Sequence, residues 1–270
     1  MFHRAWLILC LAAVLVSAER GCPYPEDVEP CFCQSVDSDY SALTCTKVHD
    51  TEVLLRVFEN NRRYHFNAFL LFNSTLQYIP HQIFDDVKVE FLSLKYNTFR
   101  NLFDEVPRNP GIRAIQVDGV KVLGGLDWKT LAVFKNLESL KIWDVPLRKL
   151  TADFRSNVSK KLSILYCKNC QIKQLEDNVF AEFTDLKSIK LPYNAIVDIK
   201  RTMFPRRNKL YAINLEYNKI STLPSDMFSD MPFLKMVELN GNMMAVLPED
   251  TFQPIMSQIT LLYVQSKRRD

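Results

Sequence analysis

The chain has 270 residues, of which 47% are hydrophobic and 24% charged, and its formal net charge is +3. This composition excludes a disordered chain and is ample for a sizeable core. The small net charge gives no sign of a nucleic-acid partner held by bulk electrostatics. Six glycines and four histidines leave little material for phosphate-binding loops or histidine-rich metal sites.

The first residues are typical of a secretory signal peptide. A short basic start is followed by an uninterrupted apolar run from Ala5 to Val16 and by the small residues Ser17 and Ala18. A buried N-terminal helix or a membrane anchor is the alternative, but a bilayer-spanning helix needs about 20 apolar residues. We expect a signal peptide over residues 1–18, cleavage after Ala18, no later membrane span, and a secreted, freely soluble protein.

Four cysteines crowd together after this leader: Cys22, Cys31, Cys33 and Cys45. In an oxidising compartment this cluster predicts two disulfide bonds, whereas a zinc site more often shows C-x-x-C pairs. Three pairings are open. Asp50 then precedes apolar residues at helical spacing, which predicts a short amphipathic helix up to Phe58. We assign residues 19–60 to a cysteine-rich N-terminal cap closed by this helix.

Residues 61–270 repeat one pattern. The order Leu210-x-x-Ile213-x-Leu215-x-x-Asn218-x-Ile220 returns from Leu234 onwards, an offset of 234 − 210 = 24 residues. Copies begin at residues 66, 89, 112, 137, 162, 186, 210 and 234, and a partial ninth begins at Ile259. This is the leucine-rich repeat pattern, in which each unit contributes a short strand and a returning segment. It predicts an α/β solenoid, a horseshoe with a parallel sheet on its concave side and a disulfide-bonded cap at its N-terminus.

Two kinds of residue in each unit are expected to point inward. An Asn eight residues after the repeat start can hydrogen-bond backbone groups freed by the bend after the strand; Cys170 takes this position in one copy, and Val120 and Val145 in two others. A phenylalanine recurs seventeen or eighteen residues after the start, which predicts a buried spine of Phe84, Phe154, Phe180, Phe204, Phe228 and Phe252.

No catalytic motif is present. The histidines match no metal-ligand spacing, and neither G-x-S-x-G nor G-x-x-x-x-G-K occurs. Cys167-Lys168-Asn169-Cys170 is the one redox-like stretch, but both cysteines fall on inward positions of one repeat, which favours buried, inert thiols over a catalytic pair or a bridge. We therefore expect neither enzymatic activity nor a cofactor.

The concave strands carry the candidate partner-binding residues, because solenoids present this surface to their ligands. Aromatic residues, which dominate interface hot spots, are flanked there by lysines. The alternative is that they only pair across strands to support the sheet. The candidates are Tyr96, Lys141, Trp143, Tyr166, Lys168, Lys190, Tyr193, Tyr211 and Tyr217, with Glu216 beside them.

Two sequons predict N-glycosylation, at Asn73 and Asn157. Asn73 falls just after the first repeat strand, where a glycan would obstruct the N-terminal end of the concave face and favour contact with the middle and later repeats. Alternatively, Asn73 is a structural Asn displaced by one residue. Asn157 lies on a returning segment, where a glycan would leave the strands free.

After Val264 the chain reads QSKRRD, with no cysteine-rich cap over the last repeat. Terminal repeats normally need a polar cover. Three interpretations compete: a truncated gene model or splice form, an edge for self-association, or a charged tail that suffices as a cap. We favour truncation.

Beyond residue 45 the chain resembles the typical class of extracellular leucine-rich repeat proteins, and the four clustered cysteines resemble their N-terminal cap. In that family the usual bonding is first to third and second to fourth, which implies Cys22 with Cys33 and Cys31 with Cys45.

A narrower resemblance covers the first sixty residues. Cys22-Pro23-x-Pro25-Glu26-Asp27, Pro30-Cys31-x-Cys33, Cys45 and the helix from Glu52 to Phe58 are similar to the arthropod family named for the non-catalytic subunit of oplophorus-luciferin 2-monooxygenase. The name implies no activity, since that subunit is the leucine-rich repeat partner of a separate catalytic chain.

The function expected from these observations is a secreted, non-enzymatic repeat protein that binds an extracellular protein through its concave face, with a role as an accessory subunit left open. One alternative is a structural protein of the extracellular matrix. Another is the non-catalytic chain of a luciferase-like oxygenase complex.

Overall fold

The computed structural model describes residues 21–35, 40–86, 88–108 and 110–265. The expected signal peptide and residues 266–270 lie outside the described residues. In chain order the elements are α1 Pro25–Val28, β1 Phe32–Ser35, β2 Ser41–Thr46, α2 Thr51–Asn60, β3 Ala68–Phe72, β4 Thr75–Leu76, α3 Gln82–Asp86, β5 Phe91–Lys95, β6 Thr98–Phe99, β7 Ala114–Asp118, β8 Lys121–Val122, β9 Ser139–Trp143, β10 Lys149–Leu150, α4 Ala152–Asn157, β11 Ile164–Lys168, β12 Gln174–Leu175, β13 Ser188–Lys190, β14 Ala212–Asn214, β15 Met236–Glu238, α5 Glu249–Phe252 and β16 Leu261–Tyr263. Three short 3-10 helices lie at Trp128–Leu131, Arg201–Met203 and Gln253–Ile255.

One sheet of 11 strands runs the length of the described chain, in the order β1-β2-β3-β5-β7-β9-β11-β13-β14-β15-β16. Every pair is parallel except β1 with β2, which is antiparallel. Each repeat strand begins two residues after the repeat start read from the sequence, including the ninth, whose strand begins at Leu261. The predicted solenoid, its register and its parallel sheet are confirmed.

The N-terminal cap extends the same sheet. Cys22 is bonded to Cys33 and Cys31 to Cys45, which is the pairing that the resemblance implies. Strand β2 then pairs in parallel with the first repeat strand, β3. The predicted helix is α2, which begins after Asp50, whose side chain accepts a hydrogen bond from the Glu52 amide at 3.0 Å. The cap therefore covers the first repeat by sheet pairing.

The phenylalanine spine is buried as predicted. None of its six side chains is more than 6% exposed. The rings of Phe154, Phe180 and Phe204 follow one another from repeat to repeat, with centroid distances of 6.2 and 5.8 Å. Burial of each ring contributes about 1.5–3 kcal/mol, so the spine is a main source of the stability that joins neighbouring repeats.

The inward asparagines bind backbone groups as predicted. The side-chain amide of Asn218 donates to the carbonyl oxygens of Leu191 and Leu215 at 2.9 and 3.0 Å, and its oxygen accepts from the Ile196 amide at 3.0 Å. Asn242 repeats this arrangement one unit later. Each of these side chains connects two consecutive turns of the solenoid in its interior.

Other residues fill the same inward position in the earlier repeats. Ser74 occupies it in the first: its hydroxyl accepts from the Val48 amide at 3.0 Å and donates to the Phe72 carbonyl at 2.9 Å. The alternative that Asn73 is a displaced structural Asn is therefore wrong, because Ser74 makes those bonds and Asn73 is exposed. Val120 and Val145 are buried there as part of the hydrophobic core.

Cys167 and Cys170 are free thiols and are both fully buried. The Cys170 thiol donates to the carbonyl oxygens of Lys168 and Ile142 at 3.3 and 3.5 Å, so it partly replaces the missing Asn amide. The pKa of the Cys167 thiol is raised well above its ordinary value by a hydrogen bond to Cys170 and by burial. Both observations agree with structural thiols.

A left-handed turn ends the strand in all eight full repeats. The residue seven positions after each repeat start has a φ between 49° and 72°: Asn73, Tyr96, Gly119, Asp144, Asn169, Tyr193, Tyr217 and Gly241. Such a φ is common for glycine and asparagine but rare for a bulky side chain. Three tyrosines therefore stand at the exit edge, the side of the sheet where the strands end.

Within the described part of the chain, no helix has the length and apolarity needed to cross a membrane. Among the same residues, no group of three His, Cys, Asp or Glu side chains is placed to hold a metal ion.

Candidate partner-binding surface

Outward side chains form rows across the concave sheet, because strands paired in register place equivalent residues side by side. In one row Tyr166 of β11 lies between Lys141 of β9 and Lys190 of β13. In the next row Trp143 lies beside Lys168. The structure thus brings together five of the nine candidate residues, which we call the basic–aromatic patch: Lys141, Trp143, Tyr166, Lys168 and Lys190.

The two aromatic residues of the patch contact each other. The rings of Trp143 and Tyr166 meet edge to face, with centroids 5.4 Å apart and planes at 78°. Both side chains are half-buried. The expectation that Trp143 points outward holds, but its ring is supported on one side by Tyr166. The pair is therefore a preorganised feature with its remaining surface open to solvent.

The lysines of the patch have no acidic partners among the described residues. Within the described residues, none of Lys141, Lys168 and Lys190 forms an ion pair. The ammonium group of Lys168 lies 5.3 Å from the ring centroid of Tyr193, a cation–π distance. The patch is consequently electropositive.

The exit edge of the sheet carries a tyrosine stack, formed by Tyr193 and Tyr217. Their rings lie 4.5 Å apart at an angle of 13°. Desolvation and the neighbouring Tyr217 and Glu216 raise the pKa of Tyr193. Because Lys168 covers one face of the stack, the stack is continuous with the basic–aromatic patch.

Two candidates lie elsewhere. Tyr96 belongs to the repeat that begins at residue 89. The ammonium group of Lys95 lies 5.1 Å from the centroid of its ring, and the ring lies close to Gly119. Lys95 is also paired with Asp118 at 3.3 Å, so this tyrosine has a neutralised neighbour. Tyr211 lies at the entry edge, where the strands begin, and is 49% exposed.

An open depression at the entry edge was not anticipated from the sequence. We call it the entry groove; its volume is about 800 Å³ and its lining is Ser163, Ile164, Lys187, Ser188, Lys190, Lys209, Tyr211, Ala212, Phe233 and Met236. Phe233 is 56% exposed. It directly precedes a repeat start, a position that is polar or glycine in the other units: His65, Lys88, Gly111, Asn136, Lys161, Asp185, Lys209 and Gln258. This change of residue class is the signal that could have revealed the groove.

The two sequon asparagines differ in accessibility. Asn73 is exposed at the exit edge of the first repeat. Asn157 is half-buried at the end of α4, where its side-chain amide donates to the Asp153 carbonyl at 2.8 Å. Glycosylation at either position stays a prediction.

Comparison with known proteins identifies the architecture. Residues 184–244 match the family model described as leucine rich repeat. A structure of a leucine-rich repeat protein from Leptospira interrogans superposes with a TM-score of 0.62, and that of TLR13 in complex with ssRNA13 with a TM-score of 0.64. The fold is a leucine-rich repeat solenoid. No curated protein has a matching sequence.

These likenesses extend to the fold alone, since the sequence identity with this chain is only 18% for TLR13 and 20% for the Leptospira protein. Each match covers 82% of this chain. The chain spans 31% of the length of the TLR13 chain and 53% of the Leptospira chain.

Proposed function

We propose that this protein is a secreted, non-enzymatic binding protein that holds an extracellular protein on its concave face. The observation that carries the proposal is the Trp143–Tyr166 pair, half-buried, preorganised and framed by lysines without ion pairs. Trp and Tyr are the residues most enriched at binding hot spots, and a rigid aromatic pair loses little conformational entropy on contact.

The position of the pair supports this role. Trp143 and Tyr166 lie on β9 and β11, in the middle of the sheet order, where a partner can also reach the tyrosine stack. A glycan on Asn73 would stand three repeats before β9 and would leave this region open. Partner contact is therefore centred on the middle and later repeats.

The cap supports an extracellular location. Two disulfide bonds close the N-terminal module, and such bonds persist in oxidising compartments. The signal peptide expected over residues 1–18 would deliver the chain there.

The test is affinity capture from native secretions on immobilised recombinant protein. Parallel columns carry the wild type, Trp143→Ala, Tyr166→Ala and, as the control, Tyr24→Ala, which removes an exposed tyrosine of the N-terminal cap, outside the basic–aromatic patch. We expect one stoichiometric protein on the wild-type and control columns and at least about tenfold less on the two patch variants, as for hot-spot residues.

Equal capture on all four columns would refute the patch as the binding site. Mass spectrometry of the captured protein also separates the roles considered for the chain. An oxidative enzyme would indicate an accessory subunit of an oxygenase complex, and collagen or another matrix component would indicate a structural role. Circular dichroism of each variant verifies that the fold is retained.

A further inference from the structure

The entry groove has apolar side chains where most repeats place polar ones. Tyr211 lies one residue after a repeat start, a position that is polar in the other full repeats: Asn67, Glu90, Arg113, Glu138, Ser163, Lys187 and Lys235. Phe233 is the second exception, and both side chains are about half exposed. Ile164, Ser188, Ala212 and Met236 lie in one row of the sheet, and the three apolar members of this row complete a largely apolar floor.

The rim of the groove is basic. Three of its lining residues are lysines and none is acidic. Lys209 is paired with Asp185 at 2.7 Å, but within the described chain neither Lys187 nor Lys190 forms an ion pair. An apolar floor beside unpaired ammonium groups is complementary to a ligand that is both apolar and anionic.

The groove and the basic–aromatic patch form one surface. Lys190 belongs to both, and Ile164 and Tyr166 are outward residues of the same strand, β11. A partner seated on Trp143 and Tyr166 is therefore in reach of the groove, which would bind a second portion of the same partner.

We propose that the entry groove binds an acidic segment of the partner protein that inserts an apolar side chain between Tyr211 and Phe233. The segment's carboxylates pair with Lys187 and Lys190. This inference rests on the proposed function and adds the chemistry of the partner: an extended stretch with a large apolar anchor flanked by Asp or Glu.

A protein segment suits the groove better than a sulfated polysaccharide. A sulfated chain would satisfy the lysines but has no large apolar group to cover Tyr211, Phe233 and Met236. Exposed apolar patches of this kind mark interaction sites for apolar ligand groups. A peptide with an apolar anchor gains from both the floor and the rim.

The test uses a phage-displayed library of random short peptides, panned on the full mature chain, with heparin as the polysaccharide probe. The variants are Phe233→Ser and the charge reversals Lys187→Glu and Lys190→Glu. Leu123→Ser and Lys121→Glu are matched controls, since Leu123 is 75% exposed and Lys121 is exposed, both in the third repeat and outside the groove.

We expect enrichment of peptides that combine a Phe, Leu or Trp with Asp or Glu. Their affinity should fall about tenfold or more with Phe233→Ser and with each charge reversal, and should be unchanged in both controls. Enrichment of basic or neutral peptides, or affinity indifferent to Phe233, would overturn the inference. So would heparin binding that needs Lys187 and Lys190 but not Phe233, or a dimer of the protein alone that Phe233→Ser abolishes.

The native partner separates this inference from the proposed function. A partner lost with Trp143→Ala but retained in full by Phe233→Ser would leave the proposed function standing and refute the groove. A partner retained by both variants would refute both.

Discussion

The ring of Tyr217 lies against Gly241 of the next repeat. A Cβ atom added to Gly241 would come within 2.6 Å of Cδ1 of Tyr217, and the φ of Gly241 is +72°. Gly119 has the same relationship to Tyr96, also at 2.6 Å. Tyr96 and Tyr217, two of the three tyrosines in the left-handed turns, are thus each accommodated by a glycine at the equivalent position of the next repeat, whereas Tyr193 is followed by Tyr217.

Gly241→Ala should therefore destabilise the protein. The positive φ costs a residue with a Cβ about 1–2 kcal/mol, and the ring of Tyr217 must also move. We expect the thermal midpoint to fall by roughly 2–8 °C, given about 2–4 °C per kcal/mol for a chain of this size. Gly124→Ala is the control, because nothing lies within 4 Å of its added Cβ. Equal midpoints for the two variants would disprove the contact.

Phe228 and Phe233 are five residues apart and should respond oppositely to truncation. Phe228 is 1% exposed and Phe233 is 56% exposed. Phe228→Ala should cost about 3–5 kcal/mol, as for other buried phenylalanines. Phe233→Ala should stay within about 0.5 kcal/mol, as is common at surface positions. Thermal melts followed by circular dichroism measure both, and a large loss with Phe233→Ala would show that the groove is part of the core.

Asn218→Ala should remove the bonds that connect two turns of the solenoid. Truncation leaves the Ile196 amide without its side-chain acceptor. The carbonyl oxygens of Leu191 and Leu215 each lose one side-chain donor but keep a second, from Asn194 and Asn242 respectively. A buried group left unsatisfied costs about 1–3 kcal/mol, so we expect a loss of about 1–3 kcal/mol in a urea titration. The control is Asn136→Ala, whose exposed side chain accepts only from Lys161. A loss no greater than that of the control would contradict the role of Asn218.

Cys167 and Cys170 should resist alkylation by iodoacetamide in the native protein and react after unfolding, because both are fully buried. Peptide mapping without reduction should also recover Cys22 with Cys33 and Cys31 with Cys45. A Cys167–Cys170 bridge in that map, or rapid native labelling, would contradict the assignment of buried thiols.

The same thiols predict how stability depends on pH. The pKa of Cys167 is raised in the folded state, and an unfolded thiol has a pKa of about 8.5. The contribution to stability is therefore fully present below about pH 8.5 and is lost as pH rises towards the folded pKa. A Cys167→Ala variant should show a smaller decline above that pH than the wild type.

The interior could be predicted from the sequence because packing in the core restricts which side chain can occupy each position. Leu210, Asn218 and Phe228 each face a space set by the same residue one repeat away, so their spacing recurs and is visible in the chain. The strand starts, the inward asparagines and the spine all follow from this recurrence. The identity of these side chains is limited by volume and by hydrogen bonding.

The surface could be predicted only in part because no packing constraint shared between repeats restricts the identity or the rotamer of its side chains. Lysines and tyrosines were assigned to the concave strands, but the contact of Trp143 with Tyr166 depends on rotamers in two repeats. The stack of Tyr193 on Tyr217 needs a left-handed turn at both residues, which tyrosine rarely adopts. The entry groove combines residues outside the repeat consensus, from four successive units.

The interior asparagine ladder is interrupted where the basic–aromatic patch lies. From Asn97 to Asn194 the equivalent positions hold Val120, Val145 and Cys170, which provide no side-chain amide. The free energy of local opening is lower where fewer side-chain hydrogen bonds must break. Backbone amides near residues 120–170 should therefore exchange with deuterium sooner than those near 194–242. On the same ground, the curvature of the horseshoe should change most easily beneath Trp143 and Tyr166.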